Sequence, residues 1–300
     1  MKIAIILNGI SRKKKFFYDR ILPALQKEHS LSVFETRFAG HAMELAREAA
    51  LLNFDLMLAA GGDGTLNQVL NGLLNAEAAK TPILGLIPLG SGNDFAGTVG
   101  IQADATQILE LIQMNQPRYI DIGQIQIRAQ NQEPTQKYFL NVCSLGMGPT
   151  AVQTMQQLPA WLGADMRYLI SILKTFLTGR PEPLEIKTNN WSWSGHARVL
   201  AVANGRSFGN RIYIAPQAKP DDGLFNVFLA SNLPLIKFLL SLLRLKAGKE
   251  LSDKRIYYTS TSEIHITSAI SLALEAEGEL VGHLPALIKI LPQRILFLRP

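Results

Sequence analysis

Twice in its first third the chain runs a short apolar stretch straight into a glycine-rich turn that carries an aspartate. Asp55–Ala60 leads into Gly61-Gly62-Asp63-Gly64-Thr65-Leu66-Asn67, and Ile83–Ile87 leads into Pro88-Leu89-Gly90-Ser91-Gly92-Asn93-Asp94-Phe95. Apolar runs with no polar alternation are strands buried on both faces, which demands a parallel sheet covered by helices. Ile3–Leu7 and Leu31–Phe34 are of the same kind. Helix-period segments Phe17–Glu28, His41–Leu52, Leu66–Leu74 and Ala105–Met114 stand between or after these runs, as a doubly wound α/β domain requires. Ligands in such sheets bind beyond the carboxyl ends of the strands, where both glycine turns fall.

Each residue type in these turns has a physical use. Glycine lets the backbone approach a polyanion, and the following helix start offers N–H groups and a favourable dipole to phosphate. Thr65 can donate a hydroxyl to a phosphate oxygen. Asp63 beside phosphate calls for a divalent cation between them, and Asp94 offers a second carboxylate to it. The plainer alternative is a turn in which Asp63 caps the next helix. Two such turns on consecutive strands favour a shared nucleotide site. Neither is a G-x-x-x-x-G-K-[ST] loop, and Phe95 stands where a G-x-G-x-x-G would need its third glycine.

After Pro117 the pattern changes. The isoleucines 120, 122, 125 and 127, then Tyr138–Cys143, Leu184–Thr188, Arg198–Ala203, Leu224–Leu229 and Ile256–Thr259, predict closely spaced strands. Ile264–Thr267, Leu272–Glu275, Leu287–Leu291 and Ile295–Leu298 continue the series, with turns at Asn189-Asn190, Asp222-Gly223 and Glu277-Gly278. This predicts an antiparallel sandwich or barrel interrupted by helices at Trp161–Leu177 and Pro234–Ala247. The domains expected are 1–117, to which 292–300 could return, and 118–291.

In 300 residues there are 30 Lys+Arg against 24 Asp+Glu, a net +6, which favours an anionic partner without choosing it. Zinc-finger spacing, RNP motifs and basic heptads are absent, which speaks against nucleic acid; no H-E-x-x-H signals catalytic zinc. The single cysteine, Cys143, forms no internal disulfide and suits a reducing cytosol. The first apolar run is too short for a signal peptide core. Pro234–Gly248 is nearly apolar but for Lys237, Arg244 and Lys246. It suits either an acidic membrane interface or a packed helix with snorkelling cations. Homodimerisation stays open.

GGDGTLNQVLNGL with LGLIPLGSGNDFAGTVG resembles the catalytic-domain family of diacylglycerol kinases, which includes sphingosine and ceramide kinases and soluble bacterial lipid kinases. The second loop is the more discriminating, because NAD kinases carry relatives of the first. The likeness continues through Asp121-Ile122-Gly123, Phe139-Leu140-Asn141, Val202-Ala203-Asn204-Gly205, Asp221-Asp222-Gly223-Leu224 and Glu277-Gly278-Glu279. It implies an NAD kinase-like α/β domain followed by a β-sandwich domain, and ATP- and Mg²⁺-dependent phosphorylation of a lipid hydroxyl at an anionic membrane surface, with diacylglycerol as default. The enzyme would be cytoplasmic and peripherally bound.

Residue by residue, the resemblance implies that Asn8, Ser11, Thr36, Gly61, Gly62, Asp63, Gly64, Thr65, Asn67, Gly90, Ser91, Gly92 and Asn93 hold ATP. Asp63, Asp94 and Asp121 would form a carboxylate–water–magnesium network. Glu279 would be the general base, and the Lys219 and Leu224 carbonyls with the Asp222 carboxylate would hold a structural magnesium. By spacing alone, Glu277, Glu279 and Asp222 read as ordinary turn acids. Two departures stand out: Asn8-Gly9-Ile10-Ser11-Arg12 where the family has N-P-x-S-G, and Glu277 where it has Asp. A soluble-substrate kinase related to NAD kinases and a catalytically silent binding protein are the alternative readings.

Overall fold

The computed structural model describes residues 1–127 and 135–300. The chain divides into two compact units, Met1–Ile120 with Gln293–Pro300, and Asp121–Pro292.

The first unit runs β1 (Lys2–Leu7), short helical turns α1 (Lys14–Phe16) and α2 (Leu22–Gln26) joined by a π-helical turn, β2 (Ser30–Glu35), α3 (His41–Ala50), β3 (Leu56–Gly61), α4 (Asp63–Leu74), β4 (Ile83–Pro88), α5 (Asp94–Val99) and α6 (Ala105–Met114). The strands pair in the order β2-β1-β3-β4, all parallel. Ile3–Leu7 and all of β3 are buried, as strands covered on both faces must be. In α4 the mid-helix glycine, Gly72, marks close packing: a Cβ there would overlap the Met43 carbonyl of α3. The C-terminal segment closes the unit. Phe297 pairs with Leu84, the Leu298 N–H donates to the Leu84 carbonyl at 2.8 Å, and the Phe297 ring meets Phe95 edge-on at 5.6 Å.

The second unit contains β5 (Arg118–Ile127, entering from the first), β6 (Thr135–Phe139), β7 (Val142–Gly146), α7 (Met147–Gln157), α8 (Gly163–Thr178), β8 (Glu182–Thr188), β9 (Ser192–Ala197) and β10 (Val199–Ala203). It continues with β11 (Phe225–Ala230), α9 (Leu235–Lys246), β12 (Ile256–Thr261), β13 (Glu263–Thr267), β14 (Ala273–Ala276), β15 (Glu279–His283) and β16 (Ala286–Phe297). One antiparallel sheet is ordered β12-β11-β10-β7-β14-β15; the other joins β16, β13, β8 and β9. Alternation along the strands explains the layers. Leu200 and Val202 of β10, with Val227 and Leu229 of β11, enter the core shared with the second sheet. Their neighbours Ala201, Ala203, Phe228 and Ala230 face helices α7, α8 and α9. The result is a sandwich with a helical layer on one outer face.

Two local expectations change, and one helix is added to those expected. Tyr138–Cys143 is not one strand but the end of β6 and the start of β7, because the Leu140 and Asn141 N–H groups turn away to the Glu277 carboxylate. Leu287–Leu291 and Ile295–Leu298 are one strand, β16, which passes Pro292 with Gln293 at φ 49°. Helix α7 carries no signal that overrides its Gly-Pro start, yet Pro149 sits in the first turn, where its missing N–H costs no hydrogen bond.

Candidate functional site

In the first unit the predicted residues gather at the carboxyl ends of all four strands. Asn8 follows β1, Thr36 follows β2, Gly61 ends β3 and Leu89 follows β4. The first glycine turn is tighter than its sequence suggests: β3 becomes α4 across the single residue Gly62, so Asp63, Gly64, Thr65 and Asn67 all lie in the opening turns of the helix. The two turns touch glycine to glycine. A Cβ on Gly62 would stand 3.2 Å from the Gly90 Cα, and the Leu89 and Gly90 N–H groups both donate to the Gly61 carbonyl, at 2.8 and 3.1 Å.

Side chains complete the cradle. Asn8 Nδ2 donates to Thr65 Oγ1 (3.1 Å), which leaves the threonine its own hydroxyl hydrogen to give. The Gly9 N–H donates to Thr36 Oγ1 (3.0 Å), and Ser11 Oγ donates to the Leu89 carbonyl (2.9 Å), so the altered first loop keeps its tie to the second turn. Asn93, at φ 54°, uses its amide to hold Gly90: Oδ1 accepts the Gly90 N–H at 3.0 Å and Nδ2 donates to the Gly90 carbonyl at 2.9 Å. Asn67 is buried, accepting from Asn71 Nδ2 one turn on. Ser91 is exposed at the tip of the second turn. Lys14 is spent in an ion pair with Glu35, which pulls that carboxyl below its usual range.

Asp63 caps a helix, though not its own. Its two oxygens accept the N–H groups of Asp94 (3.0 Å) and Phe95 (2.9 Å), opening α5. The residue is only partly exposed and its carboxyl is enclosed; burial is the main cause that pushes its pKa up, with the Asp94 charge adding to it and the two N–H groups opposing. Both carboxylates face the same glycine: a Cβ on Gly92 would lie 3.3 Å from Asp94 Oδ2 and 3.6 Å from Asp63 Oδ2. Two hard oxygen donors converging beside two helix starts fit a divalent cation held between carboxylate and phosphate. Among the described residues, no group of three or more His, Cys, Asp or Glu side chains is gathered for direct ligation.

Asp121 lies in the second unit. Fully buried, its carboxylate accepts the Gly223 N–H at 2.7 Å and its own N–H donates to the Pro220 carbonyl at 2.7 Å. It therefore ties β5 to the loop carrying Lys219, Asp222 and Leu224. Asp222 accepts the Leu224 N–H (3.1 Å); burial, then the charges of Asp121 and Asp221, raise its pKa. An extra negative charge in that loop calls for a cation, which fits the ligand set implied for a structural magnesium.

Glu279 is exposed as the first residue of β15. The turn before it has both central residues at positive φ, Glu277 at 53° and Gly278 at 80°, as a type I′ hairpin requires. Glu277 is no base in waiting: its Oε1 accepts the N–H groups of Leu140 (3.0 Å) and Asn141. The longer side chain is what this reach uses. Two groups escaped the sequence reading. Glu275 is buried, bonded to the Ser144 hydroxyl and to the Gly278 N–H. Phe38 is an exposed ring stacked on His41 at 4.3 Å, two residues beyond Thr36. An exposed aromatic beside a candidate nucleotide contact was the available signal for Phe38; Glu275 offered none.

Comparison with known proteins joins these features. Residues 2–125 match the family model of the diacylglycerol kinase catalytic domain, and residues 141–299 match that of the YegS C-terminal NAD kinase beta sandwich-like domain. The diacylglycerol kinase of Bacillus subtilis (strain 168) is 30% identical over 95% of this chain and 92% of its own length. A Shigella flexneri protein named Probable lipid kinase YegS is 29% identical over 96% of this chain and 92% of its own. The crystal structure of a diacylglycerol kinase from Bacillus anthracis str. Sterne superposes with a TM-score of 0.74 at 21% identity, over 100% of this chain and 97% of that one. Yeast NADH kinase complexed with NADH shares the fold at a TM-score of 0.54 and 11% identity, over 99% of this chain and 82% of that one. With both halves matched and the likeness running nearly end to end, the chain belongs to the diacylglycerol kinase family of lipid kinases.

Proposed function

We propose that the protein transfers the γ-phosphate of ATP, with Mg²⁺, to the hydroxyl of a membrane-presented lipid, with diacylglycerol as default substrate and phosphatidic acid as product. Family membership implies ATP use. The observation that carries the reading further is the convergence of Asp63 and Asp94 on Gly92 beside two helix starts. Phosphoryl transfer needs positioning and charge neutralisation more than covalent help. The α4 N–H groups, the Thr65 hydroxyl and the Gly90–Gly92 backbone would hold the phosphates. Mg²⁺, held between Asp63, Asp94 and the phosphates, would neutralise their negative charge. The lipid oxygen bonds to the γ-phosphorus as the bond to the bridging oxygen of ADP breaks, and the hydroxyl proton passes to the Glu279 carboxylate.

The surface of the second unit supports a membrane-presented acceptor. Helix α9 buries Phe238 and Leu245 and exposes Ile236 (73%), Leu240 (56%) and Leu243 (66%) on its other face. It lies beside α8, Phe238 stacked on Phe176 at 4.0 Å, and α8 exposes Leu169 and Leu177. Residues 166–180 and 235–249 hold seven Lys or Arg and no Asp or Glu. An apolar face rimmed by cations suits an anionic bilayer. Among the described residues no helix is long and apolar enough to cross a membrane.

The test is ATP-dependent phosphorylation of a mixed-micelle lipid panel by the wild type, Asp63→Asn and Glu279→Gln. Modification of diacylglycerol by the wild type and about 10²-fold or greater losses in both variants are expected. Phosphorylation of a nucleotide or sugar without micelles would show a soluble-substrate kinase instead, and ATP binding with no turnover would show a silent homologue.

A further inference from the structure

The hairpin turn that presents Glu279 is held from below by a buried carboxyl. Glu275 is 3% exposed. One of its oxygens takes the Ser144 hydroxyl, and the other accepts the Gly278 N–H at 2.9 Å. Gly278 is the residue directly before Glu279, so its peptide sets the direction in which Glu279 leaves the turn. Burying a carboxyl without a cation is expensive. No cation meets it among the described residues of the elements packed on it. Strand β7 brings Ser144 and Cys143, α7 brings no titratable group, and the hairpin itself brings Glu277 and Glu279, with His283 at its far end opposite Ala273. Space has been cleared for it as well: a Cβ on Gly148, in the first turn of α7, would overlap Ser144 Oγ and stand 3.2 Å from Glu275 Oε1.

We propose that Glu275 is a positioning residue, which fixes the Gly278 peptide and through it the placement of the Glu279 carboxylate toward the acceptor hydroxyl. The inference rests on the reading of Glu279 as general base. Burial raises the Glu275 carboxyl to about 7, so at pH 6 it exists largely as the neutral acid and at pH 7 the two forms are about equal. In the neutral acid the bond with Ser144 reverses, the carboxyl O–H donating to Ser144 Oγ, while the other oxygen still accepts from Gly278. Losing the proton leaves a negative charge in a buried site, and hydrating that charge requires the turn to open. Activity should therefore decline as pH rises through about 7.

Glutamine reproduces the neutral acid: its amide N–H can serve Ser144 and its carbonyl can accept from Gly278. Steady-state rates of ATP-dependent lipid phosphorylation are measured from pH 5.5 to 9 for the wild type, Glu275→Gln, Glu275→Ala and Glu279→Gln. Glu275→Ala is expected to lose 10-fold or more in kcat with KM for ATP unchanged. Glu275→Gln should recover the rate to within about 3-fold at pH 6 and lose the decline near pH 7. Full kcat in Glu275→Ala, or an unchanged decline in Glu275→Gln, overturns the proposal. Full activity in Glu279→Gln instead overturns the base assignment, which is a separate result from the Glu275 profiles. Should Glu275→Ala fail to fold, the pH profile of Glu275→Gln decides alone.

Discussion

Asp63 and Glu275 are both enclosed carboxyls whose pKa is pushed up mainly by burial, and both hold backbone N–H groups of a neighbouring segment. Their surroundings differ. Asp63 receives two N–H groups at a helix start and faces a second carboxylate, Asp94. Glu275 receives one N–H group and one hydroxyl in an otherwise apolar layer. In the first, two N–H groups oppose the burial cost of a negative charge while a second carboxylate adds to it, which suits a cation and a polyphosphate. The second stabilises the neutral form, which suits holding a turn in place. One residue type performs an electrostatic task in one unit and a geometric task in the other, because only the first stands at a helix start beside a second carboxylate.

The largest expected effect lies on the electrostatic side. Asp63→Ala leaves the Asp94 and Phe95 N–H groups without acceptors and removes one of the two converging carboxylates, so kcat should fall by about 10³-fold. The α5 start should loosen with a stability loss of about 1–3 kcal/mol. Lipid phosphorylation and urea denaturation measure the two. A variant that keeps activity while losing stability would reduce Asp63 to the same geometric task as Glu275.

Next in size is the pH dependence of stability. The folded pKa of Glu275 is raised above its unfolded value, so its contribution is fully present below pH ~4.3 and is lost as pH rises through about 7. Relative to Glu275→Gln, the wild type should lose on the order of 3 kcal/mol between pH ~4.5 and ~7 and change little above that. Denaturant midpoints measured across this range check it, with no assay of activity. A difference between the two proteins that does not change with pH would make Glu275 an ordinary ionised carboxylate.

Gly148→Ala sharpens the geometric side. Its methyl would overlap Ser144 Oγ, so a destabilisation of about 1–3 kcal/mol is expected in urea titration, with kcat falling and KM for ATP unchanged. Smallest is Phe38→Ala. If the exposed ring lies at the edge of the nucleotide site beside Thr36, KM for ATP should rise by about 3- to 10-fold, consistent with one aromatic stack of about 1 kcal/mol, and kcat should hold. An unchanged KM would remove Phe38 from the site.

Much of the first unit's architecture could be read directly from the chain. Strands buried on both faces carry uninterrupted apolar runs, and the glycines at their ends are needed at the points of closest approach, as Gly62 against Gly90 shows. Asp63, Asp94, Thr65 and Asn93 sit in or beside those turns, so their grouping at one edge of the sheet followed from local order alone. The second unit was legible only as a series of strands. Tyr138–Cys143 looked continuous because nothing local reveals that Glu277, remote in sequence, takes its backbone N–H groups.

By itself the sequence determined two folding patterns, the pair of phosphate-loop-like turns and the kinase family, since each depends on residues near one another along the chain. Only the tertiary structure decided that Asp63 caps α5 rather than its own helix, that Glu277 holds a strand end, and that Glu275 is buried. In β14 the alternation puts Leu274 and Ala276 on one face and Glu275 on the other, which a sequence reading takes for the wet face. Helix α7 covers that face, and coverage comes from an element far along the chain, so no periodicity within β14 can announce it.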